Sequence, residues 1–229
     1  GKLALRIPDI TLEECNSVCN DNVVSLMERI GIVGTDGAGG KYSSKPEFRV
    51  VGVGAGAVAH DDDGNITESA LCQSKAPGLQ TVPRAEAWAL YCVLLLWRVR
   101  MNLTIVVDAT YVTNGMRTGN RRTFLGGTNA DIWGLIYDQW DRLPIKPNVV
   151  KIKSHVEAHH LFHRQYPITW IYANEAADVA AAAIGDHQGD YSTEDKSNHS
   201  ARAIKHAVCM RLSAIEQHIR SEWGSPIQT

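Results

Sequence analysis

The sequence predicts an α/β fold: a mixed five-stranded sheet with helices packed on it and one further helix at each end. Three observations predict it. Apolar β-type runs and helix-periodic runs follow one another in the order β-β-β-α-β-α-α-β-α. Asp61-Asp62-Asp63-Gly64 separates two β-type runs as a hairpin signal, so the first three strands form an antiparallel meander. The later two strands are reached through helices and lie parallel by right-handed crossovers.

The elements follow in chain order. Residues 11–30 read as a helix that Thr11 caps, with Val23, Val24, Met27 and Ile30 at three- and four-residue spacing. Gly31 to Asp36 is a short apolar strand ending in an acid, and the Gly-rich stretch 37–46 is a turn. Phe48–His60 and Ile66–Ser74 are the next two strands. Thr81-Val82-Pro83 opens a helix to about Arg98, with proline in the first turn where its missing N–H costs nothing. Leu103–Val107 is an apolar strand ending at Asp108. A short helix near 110–116 follows, then a clearer one at 129–141 with Asn129 as cap. Val149–Ser154 is a strand, and Asn174 starts an alanine-rich helix. The polar stretch 186–200 reads as a linker before an amphipathic helix from Ser200 to Trp223. This gives a helical extension over 1–30, a domain over 31–185, and a linker with a terminal helix over 186–229.

Composition narrows the function. Lys and Arg number 23 against 25 Asp and Glu, so no global positive field exists to hold nucleic acid. Any such binding is local, through a patch or bound cations. The longest apolar run, Ala89 to Trp97, is too short to cross a bilayer. No signal-peptide pattern is present, and the start Gly1-Lys2-Leu3 without Met reads as an excised or processed piece. Cys15, Cys19, Cys72, Cys92 and Cys209 are odd in number and scattered, which speaks for an intracellular, reducing setting, cytoplasmic or nuclear.

Four acids carry the chemistry. Asp36 and Asp108 each end a strand, Glu86 lies at the start of the helix between them, and Asp178 lies in the first turns of the alanine helix. An acid at a strand end is costly if dry and unpaired. Four converging on one point repel unless a cation neutralises them, and oxygen-only ligands select Mg²⁺ or Mn²⁺. Two such ions about 4 Å apart clamp the attacking and leaving oxygens of a phosphodiester displacement. Each acid also has an ordinary reading. The helix dipole favours Glu86, Glu175 and Asp178 in first turns, and Asp108 can cap the next helix.

The flanking residues decide between these readings. TDGAGG (35–40), TVPRAEAWAL (81–90), VVDATYVTNGM (106–116), NADIWGLI (129–136), VKIKSH (150–155) and NEAADVAAAA (174–183) occur in order. In these six pieces the chain resembles ribonuclease H of type 1, including the ribonuclease H domains of reverse transcriptases and retroelements. The resemblance runs from about residue 31 to 185. It implies a ribonuclease H-like sheet of three antiparallel and two parallel strands. It implies that Asp36, Glu86, Asp108 and Asp178 bind two Mg²⁺ or Mn²⁺ ions, Asp36 bridging both, and that the RNA strand of an RNA–DNA hybrid is cut to 5′-phosphate and 3′-hydroxyl ends. His155 matches a mobile-loop histidine implicated in proton transfer or product release. Thr81 and Arg84 match positions near the substrate phosphate or the helix entrance, and Asn174 matches an asparagine before the last acid, where capping is its simplest role.

The chain departs from the family pattern at four places. Asp108 is followed by Ala109 where serine is usual. Val82 and Pro83 stand where asparagines help read the hybrid's minor groove, which weakens recognition of the RNA 2′-hydroxyl. The stretch after Met116 is short, and Arg117, Arg121 and Arg122 offer a small basic patch or a solvated turn. The segment 156–173 is long and carries His159, His160, His163, Tyr166, Trp170 and Tyr172. It reads as a mobile lid whose aromatics stack on bases, with a zinc site as the competing reading. The terminal helices are candidates for joining the domain to a polymerase or another subunit. Two alternatives remain open: a retired scaffold that binds nucleic acid or protein without cutting, and another nuclease or integrase of the superfamily. Ala38, where exonucleases carry a second acid, and the early position of Glu86 count against the latter. The motifs tilt the origin toward a mobile element.

Overall fold

The computed structural model describes residues 21–45, 48–97, 102–154 and 166–186, and helical stretches at 204–206, 208–211, 213–215 and 217–218. His155, His159, His160, His163, Cys15 and Cys19 lie outside these residues, as do most of the linker and part of the last helix. The chain divides into two compact units, Gly1–Gln188 and Gly189–Thr229. In the second unit the described stretches are helical and expose Ile204, Val208, Met210 and Ile215.

The first unit runs α1 (Asp21–Ile30), β1 (Ile32–Ala38), β2 (Gly52–His60), β3 (Ile66–Lys75), α2 (Val82–Leu96), β4 (Thr104–Val107), α3 (Thr110–Met116), α4 (Arg121–Leu125), α5 (Ala130–Arg142), β5 (Asn148–Lys151) and α6 (Ile168–Asp186). The sheet order is β3-β2-β1-β4-β5. β1, β2 and β3 pair antiparallel, while β4 pairs parallel to β1 and β5 parallel to β4. This is the mixed sheet of three antiparallel and two parallel strands that the sequence predicts. Among the described residues no helix is long and apolar enough to cross a membrane.

Side-chain alternation gives the sheet two different faces. Val33, Val53, Ala55, Ile105 and Val107 point into a large core with α1, α2 and α5, around the buried Trp88 and Trp133. Val23, Leu26 and Met27 of α1 are fully buried, so this helix, placed by sequence in an N-terminal extension, belongs to the packing of the domain. On the opposite face Gly34 of β1 and Gly52, Gly54 and Gly56 of β2 carry no side chain, and α6 lies directly on them. A Cβ at Gly34 would sit 2.0 Å from the Ala173 carbonyl oxygen, and one at Gly52 would sit 1.9 Å from that of Ala181. The alanines of the helix and the glycines of the strand are one feature: both remove side chain so that two backbones can touch.

Gly54 makes the strongest case. Its Cβ would lie 2.1 Å from the Ala177 carbonyl oxygen and 2.6 Å from the Ala181 nitrogen, both backbone atoms that a side-chain rotation cannot move aside. Gly54→Ala is expected to cost about 3 kcal/mol by overpacking, lowering Tm by roughly 6–12 °C in a domain of this size. Thermal unfolding followed by circular dichroism checks this.

Several boundaries differ from the sequence reading. β1 continues two residues past Asp36, because pairing with β2 reaches Ala38. β2 starts at Gly52 and not at Phe48. α4 is an additional short helix. α6 begins at Ile168, six residues before Asn174, so Asn174 is interior and is not its cap. Trp170 and Tyr172 are therefore helical and not part of a lid. Tyr166 and Trp170 pack against Val106, Ile152 and Ile171, and the Tyr172 hydroxyl donates to the Gly64 carbonyl at 2.8 Å. The lost signal is compositional: aromatic residues beside a proline resemble a loop until the surface they cover is known.

Candidate metal centre

Strand register brings the first two acids together. Thr35 pairs with Val107 in the parallel β1–β4 ladder, so the next residues, Asp36 and Asp108, fall side by side. By alternation both share the face of Gly34 and Val106, on which α6 packs. Glu86 arrives from α2 through a second close approach. A Cβ at Gly37 would lie 2.6 Å from the Glu86 amide nitrogen, so glycine there lets the helix start abut the strand end. Asp36, Glu86 and Asp108 each offer a carboxylate oxygen within 4.8 Å of the others. Asp178, one turn beyond Asn174 on α6, lies near enough to the Asp36 carboxylate for its charge to raise the Asp36 pKa, outside the tight group of three. It sits mid-helix, so a first-turn dipole role does not apply to it. The neighbouring Glu175 is exposed.

The electrostatics are those of a crowded anionic site. Burial, then the charges of Asp108 and Asp178, raise the Asp36 pKa from 3.8 to about 7. Burial, then Asp36 and Asp108, push Glu86 well above the usual carboxylate range. The Gly37 backbone N–H opposes both shifts by stabilising the charged forms. Glu86 is 5% exposed, and its Oε2 is buried without a hydrogen-bond partner. A buried carboxylate oxygen left unpaired beside two other carboxylates is costly, and a cation is the partner that resolves it. The donor set is all oxygen and fits a hard divalent ion.

The remaining sequence-predicted positions are placed differently. Thr81 is the N-cap residue of α2, half-buried; its side chain makes no capping bond, while its carbonyl accepts from the N–H groups of Arg84 and Ala85. Arg84, expected near the substrate phosphate or the helix entrance, is 4% exposed and forms a two-pronged pair with Asp131. Asn174 is 8% exposed, with its Oδ1 buried and unpartnered, one turn below Asp178. Of the basic patch, Arg121 is bound to Asp141 at 2.7 Å and lies over the Tyr137 ring.

Beside α2 lies a cavity of about 580 Å³ whose walls include Arg49, Thr81, Pro83, Tyr111, Phe124 and Asn129. The sequence reading missed Arg49 and Tyr111. The Tyr111 hydroxyl accepts from Asn129 Nδ2 at 3.1 Å and from Trp133 Nε1 at 2.7 Å, which leaves its own proton for another acceptor. The Arg49 Nε is buried without a partner. Nothing local marked either residue, because their meeting depends on how α3 and the segment before β2 pack beside α2.

No protein-family profile matches the chain, and no curated protein matches it. Among solved structures, the foamy viral protease–reverse transcriptase in complex with dsDNA is 17% identical over 68% of this chain and 93% of its own, with a TM-score of 0.44. LC9-RNase H1, a type 1 RNase H with the type 2 active-site motif, is 16% identical over 71% of this chain and 80% of its own, at 0.41. LC11-RNase H1 in complex with RNA/DNA hybrid is 18% identical over 65% and 97%, at 0.33. Two of these three solved structures are RNase H1 proteins.

Proposed function

We propose that the protein is a metal-dependent endonuclease that hydrolyses the RNA strand of RNA–DNA hybrids, leaving 5′-phosphate and 3′-hydroxyl ends. One observation carries this reading: three acids from β1, α2 and β4 meet within 4.8 Å, two of them buried, with an orphaned carboxylate oxygen among them. Asp36, Glu86, Asp108 and Asp178 would hold two Mg²⁺ or Mn²⁺ ions. Such a pair, when bound, activates water for in-line attack and neutralises charge on the phosphate and the leaving 3′-oxygen. The protein's own part is placement. The sheet register fixes Asp36 against Asp108, the Gly37 contact fixes Glu86, and the Gly34–Gly52–Gly54 surface fixes the height of Asp178. Thr81 and Asn129 on the cavity wall lie beside α2 as contacts for the nucleic-acid backbone, and His155 is assigned proton transfer or product release.

Incubation with a hybrid labelled on either strand tests this. Cleavage of the RNA strand alone is expected in Mg²⁺ or Mn²⁺, with none in EDTA and none of single-stranded RNA. Full cleavage in EDTA would overturn the proposal. A non-cutting scaffold is the second reading, favoured by Val82 and Pro83 at the start of α2, which offer no hydrogen bond to a 2′-hydroxyl. Absence of paired ions in Mn²⁺-soaked crystals would select it.

A further inference from the structure

We propose that Arg84 is a positioning residue for the carboxylate centre, a buried clamp that holds Glu86 against the repulsion of Asp36 and Asp108 before a cation arrives. This rests on reading the cluster as a metal centre. Three carboxylates within 4.8 Å repel one another, and Glu86 sits on the opening turns of α2, so the repulsion acts on the N-terminal end of that helix. Something must press that end against β1.

Arg84, two residues earlier, does so from the interior. Its Nε donates to the Pro77 carbonyl at 2.6 Å. Its Nη1 and Nη2 donate to the two oxygens of Asp131 at 3.1 and 2.8 Å, and Nη1 makes a longer contact of 3.4 Å to Asn129 Oδ1. One guanidinium therefore ties together the loop before α2, α2 itself and the start of α5. Asp131 is held in turn, since its Oδ1 also accepts the Ile132 N–H. A planar fork engaged by both prongs resists rotation, which a lysine point charge does not. Gly37 forms the opposing surface, with room for the Glu86 backbone and no room for a Cβ. Stability alone is a poor reason for such a pair, since apolar residues of similar volume often serve a core equally well. Geometry at the neighbouring centre is the better reason.

Calorimetric titration with Mn²⁺, without substrate, tests the clamp. Arg84→Lys and Asp131→Asn are each expected to weaken Mn²⁺ binding about 10-fold or more, the usual effect of removing a group that orients a ligand. The double variant is expected to be no worse than either single, because both break one interaction. Ile136→Ala, a core truncation on α5, is the control that lowers Tm and leaves Mn²⁺ affinity unchanged. Unchanged affinity in both clamp variants, or equal weakening in Ile136→Ala, overturns the proposal. Asp131→Asn carries the test if Arg84→Lys does not fold. Asp108→Asn separates the two readings. If it binds Mn²⁺ as wild type does, the metal centre itself is refuted and the clamp with it. If it loses binding while the clamp variants keep it, only the clamp falls.

Discussion

Asp108→Asn is expected to lower hybrid cleavage by about 10²–10³-fold, the cost of removing one preorganised group that stabilises transition-state charge. The same substitution is expected to stabilise the metal-free protein. Asp108 is the largest charge effect acting on Asp36 after burial, and it also acts on Glu86, so its neutralisation relieves two strained acids together. An amide has nearly the volume of the carboxylate, so packing around β4 is retained. Added Mg²⁺ then discriminates. Wild type gains about 2.7 kcal/mol at a ligand concentration 100 times Kd, while the variant gains little. Unfolding in EDTA and in Mg²⁺, measured beside single-turnover cleavage, gives the three numbers. A variant that cleaves like wild type would remove Asp108 from the mechanism.

The second large effect is on pH. The folded pKa of Asp36 is raised, from 3.8 to about 7, which is opposite to the usual carboxylate case. Below pH 3.8 the acid is protonated in both states and costs nothing. Between pH 3.8 and 7 the unfolded chain has released a proton that the folded chain still holds, so stability falls as pH rises. Above 7 the penalty is complete, of the order of 4 kcal/mol for a shift of this size. Glu86 shifts in the same direction for the same reason and adds to the fall. The metal-free protein is therefore expected to be more stable at pH 5 than at pH 8. Bound divalent ions reverse the trend, because they bind the charged carboxylates and metal affinity rises as protons leave. Denaturant midpoints at the two pH values, with and without Mg²⁺, check the sign. A metal-free protein that gains stability from pH 5 to 8 would show that these acids are not buried together.

Much of this was legible from residues. The meander of β1 to β3 followed from a hairpin signal, and the parallel arrangement of β4 and β5 followed from the helices between strands. Asp36 and Asp108 were visible because an apolar run that stops at an aspartate is unusual locally. The cap position was correctly placed at Asn129, and Thr81 proves to be the cap residue of α2, but neither side chain makes a capping bond. Asn129 bonds Tyr111 and approaches Arg84, and Thr81 lines a cavity. The start of α6 was misread because Ile168, Trp170 and Ile171 show their helical role only against Val106 and Ile152.

The order of strands and helices, the two glycine- and alanine-rich surfaces and the identity of the acids were determined by the chain alone. These are properties of short windows, where periodicity and turn chemistry act over a few residues. The inward turn of Arg84, the partners of Tyr111 and the convergence of Asp178 on Asp36 were decided only by the tertiary structure. Each joins residues far apart along the chain: packing against the start of α5 orients Arg84 and Tyr111, and the close contact of helix and strand backbones carries Asp178 to Asp36.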